Sequence, residues 1–344
     1  MGYFPVGCKR SHDESASRYG SNQLLWISNT RSLLKMSIPV VDFGACGLDE
    51  RGVQNEQLQG LAKELKAAFT EVGFVFLRNT GIKDEEVVRV MRISRDFFLQ
   101  PDEVKQPFSR KTFVNSPNHG WVSLEAERLN PRRPGDLKEA FNTSSFHPDI
   151  KWPDAVTNFQ EIQTSFFQRC KELSLRVMRV MAQGLGLDQE VFLGAHSLIG
   201  TDENGTTLRS LFYPPVDSGK AKEGQLRCGE HSDYGTITLL FQSSEGLQVR
   251  KRSGEFICAP CVPGAVLVNI ADLMQRWTSD QFVSVLHRVL LPPAGDSSTR
   301  QSLAFFVQPD DEAVISCCDG SNKYPPVQAG EYLNERFNNS YGQS

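Results

Sequence analysis

GEHSDYGTITLLFQ (229–242), SVLHRV (284–289) and RQSLAFFVQPD (300–310) decide the fold of this chain. In the first segment His231 and Asp233 stand two residues apart, the spacing that puts two side chains on one side of a strand end. The second segment adds His287, and the third adds Arg300 and Ser302 at the same period of two. Two imidazoles and a carboxylate are the donor set that favours non-haem Fe(II) and leaves one face of the metal open. A guanidinium fork beside a hydroxyl suits a carboxylate, because Arg donates two parallel hydrogen bonds and Ser a third. Each residue has an ordinary explanation when taken singly: a satisfied core histidine, an Asp in a turn before Tyr234-Gly235, an edge-strand Arg. Arg300, however, lies in a strand pattern with Ala304 and Phe306 on its own side and Leu303 and Phe305 on the other. A charge held between apolar faces requires a partner, and a bound dicarboxylate would be one.

Outward from these segments the chain divides by pattern. Leu58, Leu61, Leu65 and Phe69 are spaced as an apolar helical face over 54–71, and helical spacing returns over 84–99, 157–184 and 188–195. Pro39–Phe43 and Gly73–Leu77 read as strands. Residues 106–153 are rich in Pro, Asn, Ser and Gly and read as an irregular stretch of the kind that carries function. From 208 onward short β-type runs follow one another at 208–213, 225–231, 236–242, 247–251, 255–258, 265–270, 283–290, 300–308 and 313–317. Helices first and strands later predict an α+β layout.

The three segments, in this order, resemble the Fe(II)/2-oxoglutarate-dependent dioxygenases of the isopenicillin N synthase-like superfamily. The resemblance extends to SIPVVDF (37–43), GFVFLRNTGI (73–82), FFLQPDEVK (97–105), GDLKEAF (135–141), LRSLFYPP (208–215) and PGAVLVNIADLMQRWTSDQF (263–282), and so covers roughly residues 37 to 340. It implies a distorted double-stranded β-helix (jelly-roll) core with flanking N-terminal helices. It also implies His231, Asp233 and His287 as Fe(II) ligands, with Arg300, Ser302 and Tyr213 binding 2-oxoglutarate as co-substrate beside dioxygen. The activity implied is oxidation, chiefly hydroxylation, of a small organic substrate with release of succinate and carbon dioxide. Two rivals keep the same residues: a 2-oxoglutarate-independent Fe(II) oxidase of the superfamily, and a catalytically silent binding protein. Leu211, where many plant relatives carry Asn, and Asn79-Thr80-Gly81, where they often carry Asn-His-Gly, set the chain apart from the plant subfamilies. Trp121, Phe141 and Phe306 are candidates to line the substrate pocket.

Composition bounds the partners. With 37 basic and 41 acidic residues the net charge is −4, which points to neither a nucleic-acid nor an anionic-membrane partner. No apolar run reaches the length of a membrane-spanning helix. The 8 cysteines lack the dense spacing of a secreted scaffold and read as reduced thiols. Cys258-Ala-Pro-Cys261 and Cys317-Cys318 read as strand-end thiols rather than a zinc site. Residues 1–36 are expected to be a disordered extension, 37–200 a helical and β support region, 201–320 the β-core and 321–344 a C-terminal helical segment. Met36 immediately precedes the family-like region and could be an alternative start. Cytoplasm is the default compartment, with mitochondrial targeting by residues 1–35 left open. The sequence carries no signal for oligomeric state.

Overall fold

The computed structural model describes residues 38–52 and 54–341; the expectations for 1–36 lie outside the described residues. Strand β1 (Val40–Asp42) is followed by helix α1 (Asn55–Glu71), strand β2 (Phe74–Arg78) and helix α2 (Asp84–Phe98). The face predicted for α1 is the buried one, with Leu61, Leu65 and Phe69 turned to the core. At the start of α2, Asp84, Glu85 and Glu86 complement the positive end of the helix dipole, and Glu86 Oε2 accepts from the Lys83 amide at 2.9 Å. Gly73 makes the turn from α1 into β2 at φ +75°, where a Cβ would stand 2.3 Å from the Val283 carbonyl oxygen.

Strands β3 (Gly120–Val122) and β4 (Glu139–Thr143) come next, inside the stretch predicted to be irregular. They correct that expectation. β3 is too short to show a period, and β4 (EAFNT) carries Asn142 where an apolar alternation would be needed. Their pairing is non-local: β4 lies along β5 (Thr207–Tyr213), beyond the long helix α3 (Phe159–Leu185). The remaining strands are β6 (Cys228–His231), β7 (Ile237–Gln242), β8 (Leu247–Arg250), β9 (Phe256–Cys258) and β10 (Ala265–Ile270). Helix α4 (Asp272–Trp277), too short for periodicity to reveal, precedes β11 (His287–Val289) and β12 (Arg300–Phe306). A small pair, β13 (Val314–Ile315) with β14 (Val327–Gln328), leads into helix α5 (Ala329–Tyr341).

An eight-stranded sheet in the order β1-β2-β10-β7-β12-β5-β4-β3 and a four-stranded sheet in the order β6-β11-β8-β9 make the core. Apart from the parallel β1–β2 pair, the ladders of these two sheets are antiparallel. Alternation along each strand divides the packing. Leu303 and Phe305 of β12, Leu239 and Phe241 of β7 and Phe212 of β5 join the cluster that contains the buried residues of α1, α2 and α3. The opposite faces, including Phe74, Leu267, Leu211 and Ala304, pack with Cys228, Leu247, Val249 and Val289 of the small sheet. The helices therefore cover one side of the large sheet, and the site lies on its other side. This is the predicted jelly-roll with flanking helices. Among the described residues no helix is long and apolar enough to cross a membrane.

Candidate metal centre and its cavity

His231 ends β6 and His287 begins β11, and the two are register partners across that ladder. Their rings stand 4.3 Å apart by centroid. Asp233 follows in the turn after β6, held by backbone amides at the start of α4: the Asp272 amide donates to the Asp233 carbonyl at 2.9 Å and the Leu273 amide to the Tyr234 carbonyl at 3.1 Å. Gly235 lets this turn close onto β12, since a Cβ there would be 2.2 Å from the Val307 carbonyl oxygen. Asp233 Oδ1 lies 3.8 Å from His231 Nε2 and 3.6 Å from His287 Nε2. These three are the only group of His, Cys, Asp or Glu side chains among the described residues placed so as to hold a metal ion.

Each donor is aimed by a neighbour. His231 Nδ1 bonds to the Gly229 carbonyl at 2.8 Å and His287 Nδ1 to the Val285 carbonyl at 3.1 Å, so each ring turns Nε2 toward Asp233. Asp233 Oδ2 accepts from Thr238 Oγ1 at 2.6 Å and Asn269 Nδ2 at 2.8 Å, which leaves Oδ1 for the site. Burial works against ionisation of Asp233, but His287, His231 and these two hydrogen bonds outweigh it and hold the carboxyl below its ordinary range. Burial, with His231 next to it, pushes His287 down to about 4 despite the Asp233 carboxylate. Two imidazoles and one carboxylate face one another.

The cavity onto which these groups open has about 1070 Å³ of empty space, the open solvent at its mouth included. Arg300, Ser302 and Tyr213 line the same cavity, from β12 and β5, where Arg300 and Tyr213 are register partners. Arg300 is 1% exposed. Its partners are all neutral: the Ser244 and Glu245 carbonyls at 3.2 Å each, Gln242 Oε1 at 3.0 Å and Ser302 Oγ at 3.4 Å. The guanidinium also sits 4.9 Å from the centroid of the Tyr213 ring. Burial pushes the Tyr213 phenol up, so it stays a neutral donor. A buried cation without a counter-ion is costly, and this one faces a cavity.

A family model described as the 2OG-Fe(II) oxygenase superfamily matches residues 204–309, and one described as the non-haem dioxygenase in morphine synthesis N-terminal matches 38–162. A Schizosaccharomyces pombe protein named UPF0676 protein C1494.01 is 36% identical, the alignment spanning 83% of this chain and 89% of that one. Validamycin A dioxygenase of Streptomyces hygroscopicus subsp. limoneus is 31% identical over 86% of this chain and 85% of its own. A full-length Neurospora crassa protein, crystallised with α-ketoglutarate, superposes with a TM-score of 0.76 at 33% identity, covering 87% of this chain and 95% of its own. The chain belongs to the 2OG-Fe(II) oxygenase superfamily. It is a 2-oxoglutarate-dependent dioxygenase, an oxidoreductase that works with Fe(II), 2-oxoglutarate and dioxygen.

The donor set of this oxygenase fits Fe(II), since nitrogen and carboxylate donors on one side leave the opposite positions open. The unneutralised Arg300 fits a dicarboxylate. Of the predicted pocket residues only Phe306 lines the cavity. Trp121 and Phe141 correct the expectation: they are register partners on the opposite face of the sheet from Asn142, and Phe141 is 0% exposed among Phe97, Phe159 and Trp152. Sequence reasoning missed Thr238 and Asn269, although a polar residue in the otherwise apolar runs ITLLFQ and AVLVNI is itself a signal that something there needs a partner. It also missed a buried chain of charges in the cavity wall. Glu127 pairs with Arg209 and lies 3.4 Å from Lys138 Nζ, and Asp136 pairs with Lys138 at 2.5 Å. Asp136 Oδ1 accepts from the Gly229 amide at 2.8 Å, which ties the chain to the strand of His231.

Proposed function

We propose that His231 Nε2, Asp233 Oδ1 and His287 Nε2 hold the Fe(II), and that Arg300, with Ser302 and Tyr213, holds the distal carboxylate of 2-oxoglutarate. The observation that carries this is the pairing, in one cavity, of three converging donors with a buried guanidinium that has no carboxylate partner among the described residues. Bound together, Fe(II) and 2-oxoglutarate supply dioxygen activation, one oxygen atom going to succinate as carbon dioxide leaves and the other to the substrate. The protein's part is to place and to exclude. The carbonyls of Gly229 and Val285 fix the imidazole tautomers, Thr238 and Asn269 leave one carboxylate oxygen to coordinate, and Arg300 sets the direction of the co-substrate.

The substrate in this reading is a small polar molecule that becomes hydroxylated. The polar wall formed by Asn118, Asn142, Thr207, Arg209 and Gln308 supports this. The Neurospora crassa relative was also crystallised with thymine and with 5-formyluracil, both small polar molecules. The test is anaerobic Fe(II) titration of His231→Ala and His287→Ala: each loses one of three protein ligands, so iron binding and 2-oxoglutarate-dependent oxygen uptake should vanish while the chain stays folded. Iron affinity at the wild-type level in either variant refutes the assignment.

A further inference from the structure

The ladder between β6 and β11 is irregular at the metal site. His287 is the register partner of His231 and Val289 that of Cys228, so Gly229 and Glu230 together stand opposite the single residue Arg288. A bulge of this kind bends the strand, disrupts the ladder locally and re-aims a side chain. Gly229, within it, is held by side chains. Its amide donates to Asp136 Oδ1 at 2.8 Å, and its carbonyl accepts from His231 Nδ1 at 2.8 Å. One residue thus connects a buried carboxylate to the ring that carries a metal donor.

Glycine has the freest backbone of all residues, so a bulged glycine aims its neighbour only if something fixes it. The segment 130–138 does this. Asn130 Nδ2 and Arg133 Nε donate to Glu230 Oε2 at 3.0 and 2.6 Å, and the Leu137 amide donates to the Leu226 carbonyl at 3.1 Å. The approach is so close that a Cβ on Gly229 would stand 3.0 Å from Asn130 Cβ. Asp136 is 2% exposed and Lys138, its partner at 2.5 Å, 3%. Desolvation offsets much of the attraction in a buried ion pair, so stability alone is a weak reason to keep one. The bond from Asp136 Oδ1 to Gly229 supplies another.

We infer that Asp136 is a positioning residue for His231: it fixes the bulged Gly229, whose carbonyl sets the direction of the imidazole, and Lys138 holds the carboxylate in place. This rests on the reading of His231 as an Fe(II) ligand. It also divides the stretch GDLKEAF (135–141) by role. Asp136 and Lys138 serve the metal side, while Glu139 turns away and holds Lys105 Nζ at 2.7 Å and Trp121 Nε1 at 2.8 Å.

The experiment titrates the metal-free full chain anaerobically with Fe(II), then the iron-loaded chain with 2-oxoglutarate. Asp136→Leu combined with Lys138→Leu removes the acceptor and both charges together, and Glu127 keeps Arg209. Fe(II) affinity should fall about 10- to 100-fold, the usual cost of losing a group that orients a metal ligand. Affinity for 2-oxoglutarate at saturating iron should not move, because Arg300, Ser302 and Tyr213 stand on β12 and β5. Asp136→Asn combined with Lys138→Leu returns a neutral acceptor to the Gly229 amide and should restore most of the lost Fe(II) affinity. A merely structural part for the ion pair predicts equal Fe(II) affinity in these two variants, and that result overturns the inference. Wild-type Fe(II) affinity in the double leucine variant overturns it as well. If that variant fails to fold, Asp136→Glu takes its place, keeping the charge for Lys138 but moving the acceptor off Gly229, with the same loss expected and wild-type affinity again overturning the inference. A wild-type chain that binds no Fe(II) sinks the metal reading too, whereas each of the other failures leaves that reading standing.

Discussion

Arg300→Gln separates co-substrate binding from iron binding. Arg300 is 1% exposed and bonded only to neutral oxygens, so its charge has nothing among the described residues to neutralise it until an anion arrives. Gln is shorter and keeps a donor for Gln242 or Ser302, but it lacks the positive charge and the two-pronged fork. A hydrogen bond to a charged group contributes about 1.5–3 kcal/mol net. Losing that contribution should raise the KM for 2-oxoglutarate by about 10- to 150-fold where binding is near equilibrium. Steady-state oxygen uptake against 2-oxoglutarate concentration measures it. Anaerobic Fe(II) titration is the control and should barely move, because His231, Asp233 and His287 all remain in place. Shorter 2-oxo acids without a distal carboxylate should lose less than 2-oxoglutarate does. An unchanged KM for 2-oxoglutarate would refute the anchor and leave a buried charge with no function.

Two further outcomes follow from buried polar groups. Asn269→Ala removes one of the two donors to Asp233 Oδ2 and should weaken Fe(II) binding by about 10- to 100-fold, the usual cost of losing a group that orients a metal ligand; an anaerobic Fe(II) affinity equal to wild type would show that Thr238 suffices. His119 is pushed down to about 3 by burial and neither ring nitrogen has a partner among Phe113, Phe141 and Trp152. The unfolded chain then takes up the proton first as pH falls below about 6.5, so His119 should cost about 2 kcal/mol of stability between pH 7.5 and pH 5. In urea unfolding, His119→Phe should lose that much less stability over the same interval, and an identical loss in variant and wild type would count against it.

The sequence was most legible where chemistry and periodicity coincide. Arg300, Ser302, Ala304 and Phe306 alternate with Leu303 and Phe305, and this one stretch already separates cavity from helix layer, as the packing shows. The His-x-Asp turn was legible for the same reason: few spacings bring an imidazole and a carboxylate to one strand end. Trp121 and Phe141 were misplaced because neither β3 nor β4 announces itself, and without a strand there is no parity to tell inside from outside. Once β4 is paired with β5, Asn142 must face with Arg209 and Phe141 must face away.

That same parity explains why the polar wall of the cavity stayed hidden. Ala140 and Asn142 share one face of β4, across from Leu211 and Arg209 on β5, and Lys138 lines the cavity just before the strand begins. Glu127 bridges from Arg209 to Lys138, on either side of the Ala140–Leu211 pair. None of these residues is adjacent in sequence to the metal ligands, and singly each reads as a solvated charge or a turn amide. Only the non-local register brings them to one surface, with Leu211 standing where many plant relatives carry an amide. Much of the polar character of this wall therefore comes from β4 and from residues 127 and 138 before it, while the metal and co-substrate groups come from β5 to β12. Metal and co-substrate groups carried by one set of strands and a polar wall carried largely by β4 and the residues before it can vary independently, which is how one scaffold hosts many substrates.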